Sequence, residues 1–136
     1  MPDCLFCKIV RKEIPAEVLW EDERTLAFLD VHPCAPGHAM VVPKDHVNSV
    51  LELDDAHLGP VFHTVKRVTR MLKGALAPDG FTIGINHGRA AGQAIDHLHI
   101  HIIPRWANDR GGSVHSVVKN PPTEDLHTLA ERVRKG

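Results

Sequence analysis

His97-Leu98-His99-Ile100-His101-Ile102-Ile103 decides how this chain is read. Imidazole and aliphatic side chains alternate strictly. On a β-strand successive side chains point to opposite faces, so His97, His99 and His101 share one face while Leu98, Ile100 and Ile102 share the other. A helix would scatter this pattern. Three adjacent imidazoles serve no packing purpose, because a buried polar ring needs a partner for every nitrogen. Two chemistries suit them. His-x-His on a strand is a sound metal-ligand spacing. A neutral imidazole is also a competent nucleophile toward phosphorus, and crowded imidazoles cannot all be protonated cheaply, so some stay neutral at pH 7. The alternation alone leaves these two open, beside a merely half-polar exposed face.

The strand Asp96–Ile103, closed by Pro104, is the last of several. Val18–Glu21 and Thr25–Val31 read as strands joined by a tight acidic turn, and His38–Val42 as a third stopped by Pro43. Phe81–Ile85 follows the turn Pro78-Asp79-Gly80, and Asn86–Gly92 is a glycine-containing loop. Cys4–Arg11 reads as a short helix or turn that ends before Ile14-Pro15. Asp54 caps the longest helix, which sets Leu58, Val61, Phe62, Val65, Val68 and Leu72 on one face. Pro60 lies beyond its first turn and predicts a kink or restart. Thr123 is expected to cap a terminal helix with Leu126, Leu129, Ala130 and Val133 inward. The pattern predicts an α+β domain with a mostly antiparallel sheet and helices packed on one side.

The chain has 136 residues, 43% of them apolar, which suits one globular domain. Sixteen basic and 17 acidic side chains give a net charge of −1. No basic patch or tail is present to hold a nucleic-acid polymer, so any nucleotide partner is expected to be small. No run is long and apolar enough to span a membrane and the first residues do not read as a signal peptide, so the expectation is a cytoplasmic protein without a membrane partner. Three cysteines argue against a disulfide scaffold. Cys4-x-x-Cys7 has the spacing of half a zinc site or of a redox pair, and also suits two small residues packed at a helix start. Cys34 has no evident partner.

His97–Ile103 matches in full the pattern His-φ-His-φ-His-φ-φ, with φ apolar. Phe6-Cys7-Lys8-Ile9, Glu13-Ile14-Pro15, Glu21-Asp22, Ala27-Phe28-Leu29-Asp30, Pro36-Gly37-His38, Val42-Pro43-Lys44 with His46, and Gly92-Gln93 stand in the matching order. The chain thereby resembles the histidine triad (HIT) family and its Hint-like branch, from about Cys4 to Arg105, with the tail and helix of 106–136 outside the match. The resemblance implies a single HIT domain over 1–136, a five-stranded antiparallel sheet with two main helices, and a homodimer whose sheets join.

The resemblance also implies roles. His99 would be the nucleophile that forms a covalent nucleotidyl-histidine. His101 would stabilise charge on the phosphate or protonate the leaving group, and His38 would complete the imidazole network. Asp30 would bind the ribose hydroxyls. Phe6, Ile9, Phe28 and Val31 would sandwich the base, while Asn86 and Gly92-Gln93-Ala94 would hold the phosphate. Serine or threonine is common in the family where Ala94 stands here, so that hydroxyl contact is absent. His101 in place of glutamine at the third triad position implies a hydrolase rather than a nucleotidylyl transferase.

The implied reaction is hydrolysis at the α-phosphate of purine nucleotide conjugates of AMP or GMP, with phosphoramidates such as AMP-amines favoured. Diadenosine polyphosphate hydrolysis is the nearest enzymatic rival. A protein binding one metal through all three histidines, and a nucleotide-binding module without turnover, are the other readings. Similar bacterial members hold a structural zinc, for which the matching ligands are Cys4, Cys7, His46 and His97. A closed set of four such ligands makes that metal structural rather than catalytic.

Overall fold

The computed structural model describes residues 3–136. Helix α1 (Leu5–Val10) leads into a hairpin of β1 (Val18–Glu21) and β2 (Thr25–Leu29), followed by β3 (Ala39–Pro43). The long α2 (Asp55–Leu76) then precedes β4 (Gly80–Gly84), β5 (Ile100–Arg105) and the terminal α3 (Leu126–Lys135). The strands form one sheet in the order β1-β2-β3-β5-β4, and every neighbouring pair is antiparallel. This is the α+β architecture expected from the sequence.

The helices do not all lie on one side. Ala27, Ala39, Val41, Leu98, Ile100 and Ile102 pack against Val61, Val65, Val68 and Leu72 of α2. On the opposite face, Phe28, Met40 and Val42 pack against Phe6 and Ile9 of α1. Strands β2 and β3 are therefore covered on both faces, which is why they are almost continuously apolar. The single-sided expectation fails because α1 is too short to show its own periodicity in sequence. It contributes two anchors, Phe6 and Ile9, rather than a stripe.

Helix α2 begins where Asp54 accepts the Ala56 N–H at 2.9 Å. It ends at Ala77, which is left-handed at φ 47° just before Pro78. It runs unbroken through Pro60, close enough to its N-terminus to lose a single backbone bond. Leu58 and Phe62 are exposed, whereas Thr64 is buried against Thr25 with their hydroxyls 2.7 Å apart. Helix α3 is capped by Asp125, not Thr123, and buries none of its residues. Leu126 and Val133 are exposed and Leu129 and Ala130 half-buried, because no core lies beneath them.

Two strands differ from the expected bounds in ways that matter. β2 stops at Leu29, leaving Asp30 and Val31 beyond it. β5 starts at Ile100, not Asp96, and passes through Pro104 to Arg105. Pro104 is tolerated because the β3–β5 pairing ends at Ile102, so the missing N–H has no ladder to join on that side. His97 and His99 thus sit in the approach to β5, His97 in a bend where its N–H donates to Ile95 O at 2.8 Å. The Leu98 N–H there donates to Val47 O at 2.7 Å.

Candidate active site

The approach to β5 and its first residues still present the triad on one face, the one α1 covers. The edge of the Phe6 ring meets His99 with centroids 5.0 Å apart, and His99 meets His101 at 5.1 Å. Leu98, Ile100 and Ile102 enter the opposite core. On β3, Met40 stands opposite His101.

Backbone partners set the protonation of each ring, since a carbonyl can only accept and an amide N–H can only donate. His99 Nδ1 lies 2.7 Å from the His97 carbonyl and must donate to it, which leaves Nε2 with a free lone pair. His38 Nδ1 accepts the Cys34 N–H at 3.0 Å, so His38 carries its proton on Nε2 and donates it to His101 Nδ1 at 2.9 Å. His101 Nδ1 is therefore an acceptor, and its proton is on Nε2. His97 donates from Nε2 to the Pro43 carbonyl at 2.8 Å, leaving its Nδ1 bare.

Burial sharpens this arrangement. It pulls His101 down to about 4, with His99 and His38 adding to the effect and Asp30 opposing it. Burial also lowers His38, against the pull of Asp30, whose carboxylate lies 3.5 Å from Nε2. Both rings are neutral near pH 7, and His101 offers an N–H rather than a mobile proton.

One cavity of about 480 Å³ gathers most of the candidate residues. Phe6, Ile9, Phe28, Asp30, Val31, Asn86, Gly92, Ala94, His99 and His101 all line it. Its apolar end belongs to α1 and β2, and its polar end to His99, His101 and Asn86. Val31 reaches it from an exposed position beyond β2. Two candidates stand behind the wall. His38 is 3% exposed and is joined to the cavity through its hydrogen bond to His101. Gln93 is buried, and its side chain braces the loop. Oε1 accepts the Gly88 N–H at 2.8 Å, and Nε2 donates to Asn48 O at 2.9 Å and Ile95 O at 3.1 Å. Gln93 shapes the loop of residues 86–94 from inside instead of presenting its amide to the cavity.

Cys4, Cys7, His46 and His97 converge next to this cavity, with one ligand atom from each within 4.8 Å of the others. Cys4 Sγ lies 3.3 Å from His97 Nδ1, Cys7 Sγ 3.6 Å from the same atom, and Cys7 Sγ 3.3 Å from His46 Nδ1. Bonds typical of tetrahedral zinc place sulfur and nitrogen ligands about 3.6 Å apart. The bare Nδ1 of His97 points into the set because Pro43 holds its other nitrogen, as an outer-shell partner of a metal ligand does. Burial pushes the Cys7 thiol up, contrary to what a redox pair requires. The donor set fits a closed structural zinc. A second convergence, Asp30, His38 and His101, is accounted for by the hydrogen-bond chain.

The sequence profile of the HIT domain matches residues 11–108. This chain belongs to the HIT family. An uncharacterized HIT-like protein of Methanocaldococcus jannaschii is 44% identical over 123 residues, 90% of this chain and 95% of that one. Adenosine 5'-monophosphoramidase hnt1 of Schizosaccharomyces pombe is 38% identical over 130 residues, covering 96% and 95% of the two chains. The crystal structure of a HIT family member from Bacillus subtilis superposes with a TM-score of 0.86 at 36% identity, over 98% of this chain and 96% of that one. In this HIT chain the sequence reading overlooked the main chain of Cys34, which sets the His38 tautomer. A backbone N–H leaves no trace in side-chain identity. Leu5, Ile14, Met40 and Ile95 also line the cavity without having stood out as more than core or motif residues.

Proposed function

We propose that this HIT protein is a nucleotide hydrolase that cleaves purine nucleoside phosphoramidates, such as AMP-amines, at the α-phosphate through a covalent nucleotidyl-His99. The observation that carries this reading is the His99 tautomer. Its Nδ1–H is held by the His97 carbonyl, so the free pair on Nε2 is available at the polar end of the cavity. The phosphoramidase name of the fission yeast relative supports the choice of substrate.

In this reading Phe6, Ile9 and Phe28 hold the base, and Asp30 accepts from the ribose hydroxyls. His99 Nε2 attacks phosphorus as the P–N bond breaks, and the amine leaves with a proton taken from water. The His97 carbonyl stabilises the positive charge that grows on His99. His101 donates its Nε2–H to the charge developing at phosphorus. It does not act as the acid, because protonating Nδ1 would expel the His38 donor. Water then attacks the nucleotidyl-histidine, releasing AMP and restoring His99.

Cys4, Cys7, His46 and His97 would hold a structural zinc, and that metal would fasten α1 to the approach of β5, where Phe6 meets His99. A homodimer through β4 is part of the same reading. β4 is an open sheet edge, and Ile83 within it and Phe62 of α2 are 42% and 46% exposed.

The test is mass spectrometry of acid-sensitive, base-stable adducts during turnover of an AMP-amide. The adenylyl group should map to the peptide containing His99, and His99→Ala should lose both adduct and hydrolysis. Full hydrolysis by His99→Ala would refute the nucleophile.

A further inference from the structure

Beyond His101 the same strand face continues into a second concavity that shares no lining residue with the first. β5 carries His101, Ile103 and Arg105 half-buried, alternating with buried Ile100, Ile102 and Pro104. β4 sets Gly84 opposite His101 and Thr82 opposite Ile103, and residues opposed in an antiparallel pair project to the same side. The loop before β3 makes the other wall, tied to the triad by the Cys34 N–H to His38 and the His38 N–H to His101. The result is a cleft of about 200 Å³ lined by Cys34, Ala35, Thr82, Ile103, Arg105 and Asp109.

The charges in this cleft are already answered. Arg105 Nε donates to Asp109 Oδ2 at 2.6 Å and Nη2 to Oδ1 at 3.0 Å, while Nη1 donates to Thr82 Oγ1 at 2.9 Å and to Gly112 O at 2.7 Å. Asp109 also accepts the Trp106 and Gly111 N–H groups. What remains for a ligand is mainly the aliphatic surface of Ile103 and Ala35, with the Cys34 thiol and the Thr82 O–H at its margin. Direction matters as well. Attack by His99 places the leaving atom on the far side of phosphorus, in line. The next ring along the strand is His101, and Ile103 stands about 7 Å beyond it.

We propose that this cleft is the leaving-group subsite and that it takes the short, uncharged alkyl chain of a primary amine joined to the nucleotide. This rests on the phosphoramidate reading above. The P–Nε2 bond forms as the P–N bond breaks, one proton comes from water, and the neutral amine departs along Ile103. Asp109 neutralises Arg105, so a carboxylate or ammonium at the end of the chain would meet no net opposite charge in the cleft.

The experiment compares kcat/KM for AMP-NH2 with that for AMP amides of ethylamine, n-butylamine and 4-aminobutanoate. The butylamide should exceed AMP-NH2 by about fourfold per buried methylene, and the carboxylate-ended amide should lose that gain. Ala35→Leu and Ile103→Phe, which fill the cleft, should return the butylamide-to-AMP-NH2 ratio toward one. The ratio cancels any general loss of folding or activity. Equal rates for all chain lengths, or a ratio untouched by both substitutions, would overturn the subsite. Binding of the n-butyl ester of AMP relative to AMP, by calorimetry, reads the cleft without chemistry. An ester preference abolished by Ala35→Leu in a protein that hydrolyses no amide would keep the cleft and sink the hydrolase reading. Absence of that preference in an active enzyme would sink the cleft alone.

Discussion

Replacing His38 separates positioning from chemistry. Its ring is 3% exposed, does not line the 480 Å³ cavity, and bonds on both sides, accepting from Cys34 N and donating to His101 Nδ1. His38→Ala removes the donor that fixes the His101 tautomer. His101 can then place its proton on either nitrogen, and the Nε2–H that the proposed mechanism directs at phosphorus is no longer fixed. A neutral hydrogen bond in a buried setting, lost so that its partner is left bare, costs about 1–3 kcal/mol. That corresponds to about 5- to 150-fold in rate. The loss should fall on kcat, because His38 makes no contact with the cavity's contents. Asp30 lies 3.5 Å from His38 Nε2, so Asp30→Asn, expected to raise KM, is the control for a displaced ribose site. His38→Gln can present an amide N–H toward His101 and should recover part of kcat, which a merely space-filling role would not predict. Steady-state AMP release from AMP-NH2 measures all three variants. A kcat for His38→Ala within twofold of wild type would refute the argument that this chain of imidazoles organises catalysis.

Three further outcomes follow from the same geometry. Cys7→Ser should abolish stoichiometric zinc and lower the unfolding midpoint, and a chelator should lower the wild-type midpoint similarly while leaving the variant unmoved. A wild-type midpoint indifferent to chelation would exclude a stabilising metal. His101 and His38 are held neutral by burial, His101 falling from 6.5 to about 4, so the unfolded chain binds more protons as the solution is acidified. Stability should be flat above about pH 6.5 and fall from there toward pH 4, more shallowly in His101→Asn, as read from urea midpoints. An equally steep fall in that variant would show that other groups control the acid limb. Gly37 has φ +84°, and a Cβ there would stand 2.5 Å from Leu76 Cδ1. Gly37→Ala should therefore cost about 1–3 kcal/mol, with thermal unfolding as the readout and an unchanged midpoint as the refutation.

Much of this protein was legible in one dimension because the relevant order is local. Alternation over His97–Ile103 was enough to put three rings together, since a strand alternates faces whether or not a ladder has yet formed. Asp54 and the spacing of Val61, Val65, Val68 and Leu72 announced α2 for the same reason. Leu58, Phe62 and the apolar stripe of α3 misled, because periodicity records which face a helix offers and not whether anything covers it. Pro104 misled because its cost depends on whether a neighbouring strand extends that far.

The family resemblance could match Cys4, Cys7, His46 and His97 to one metal set, but their convergence required α1 to fold beside β5. The sequence by itself determined which side chains share the triad face and which fill the core beneath it. Only the tertiary structure decided how each ring is protonated. That depends on the carbonyls of His97 and Pro43 and the N–H of Cys34, groups every residue carries and whose placement no side-chain pattern encodes.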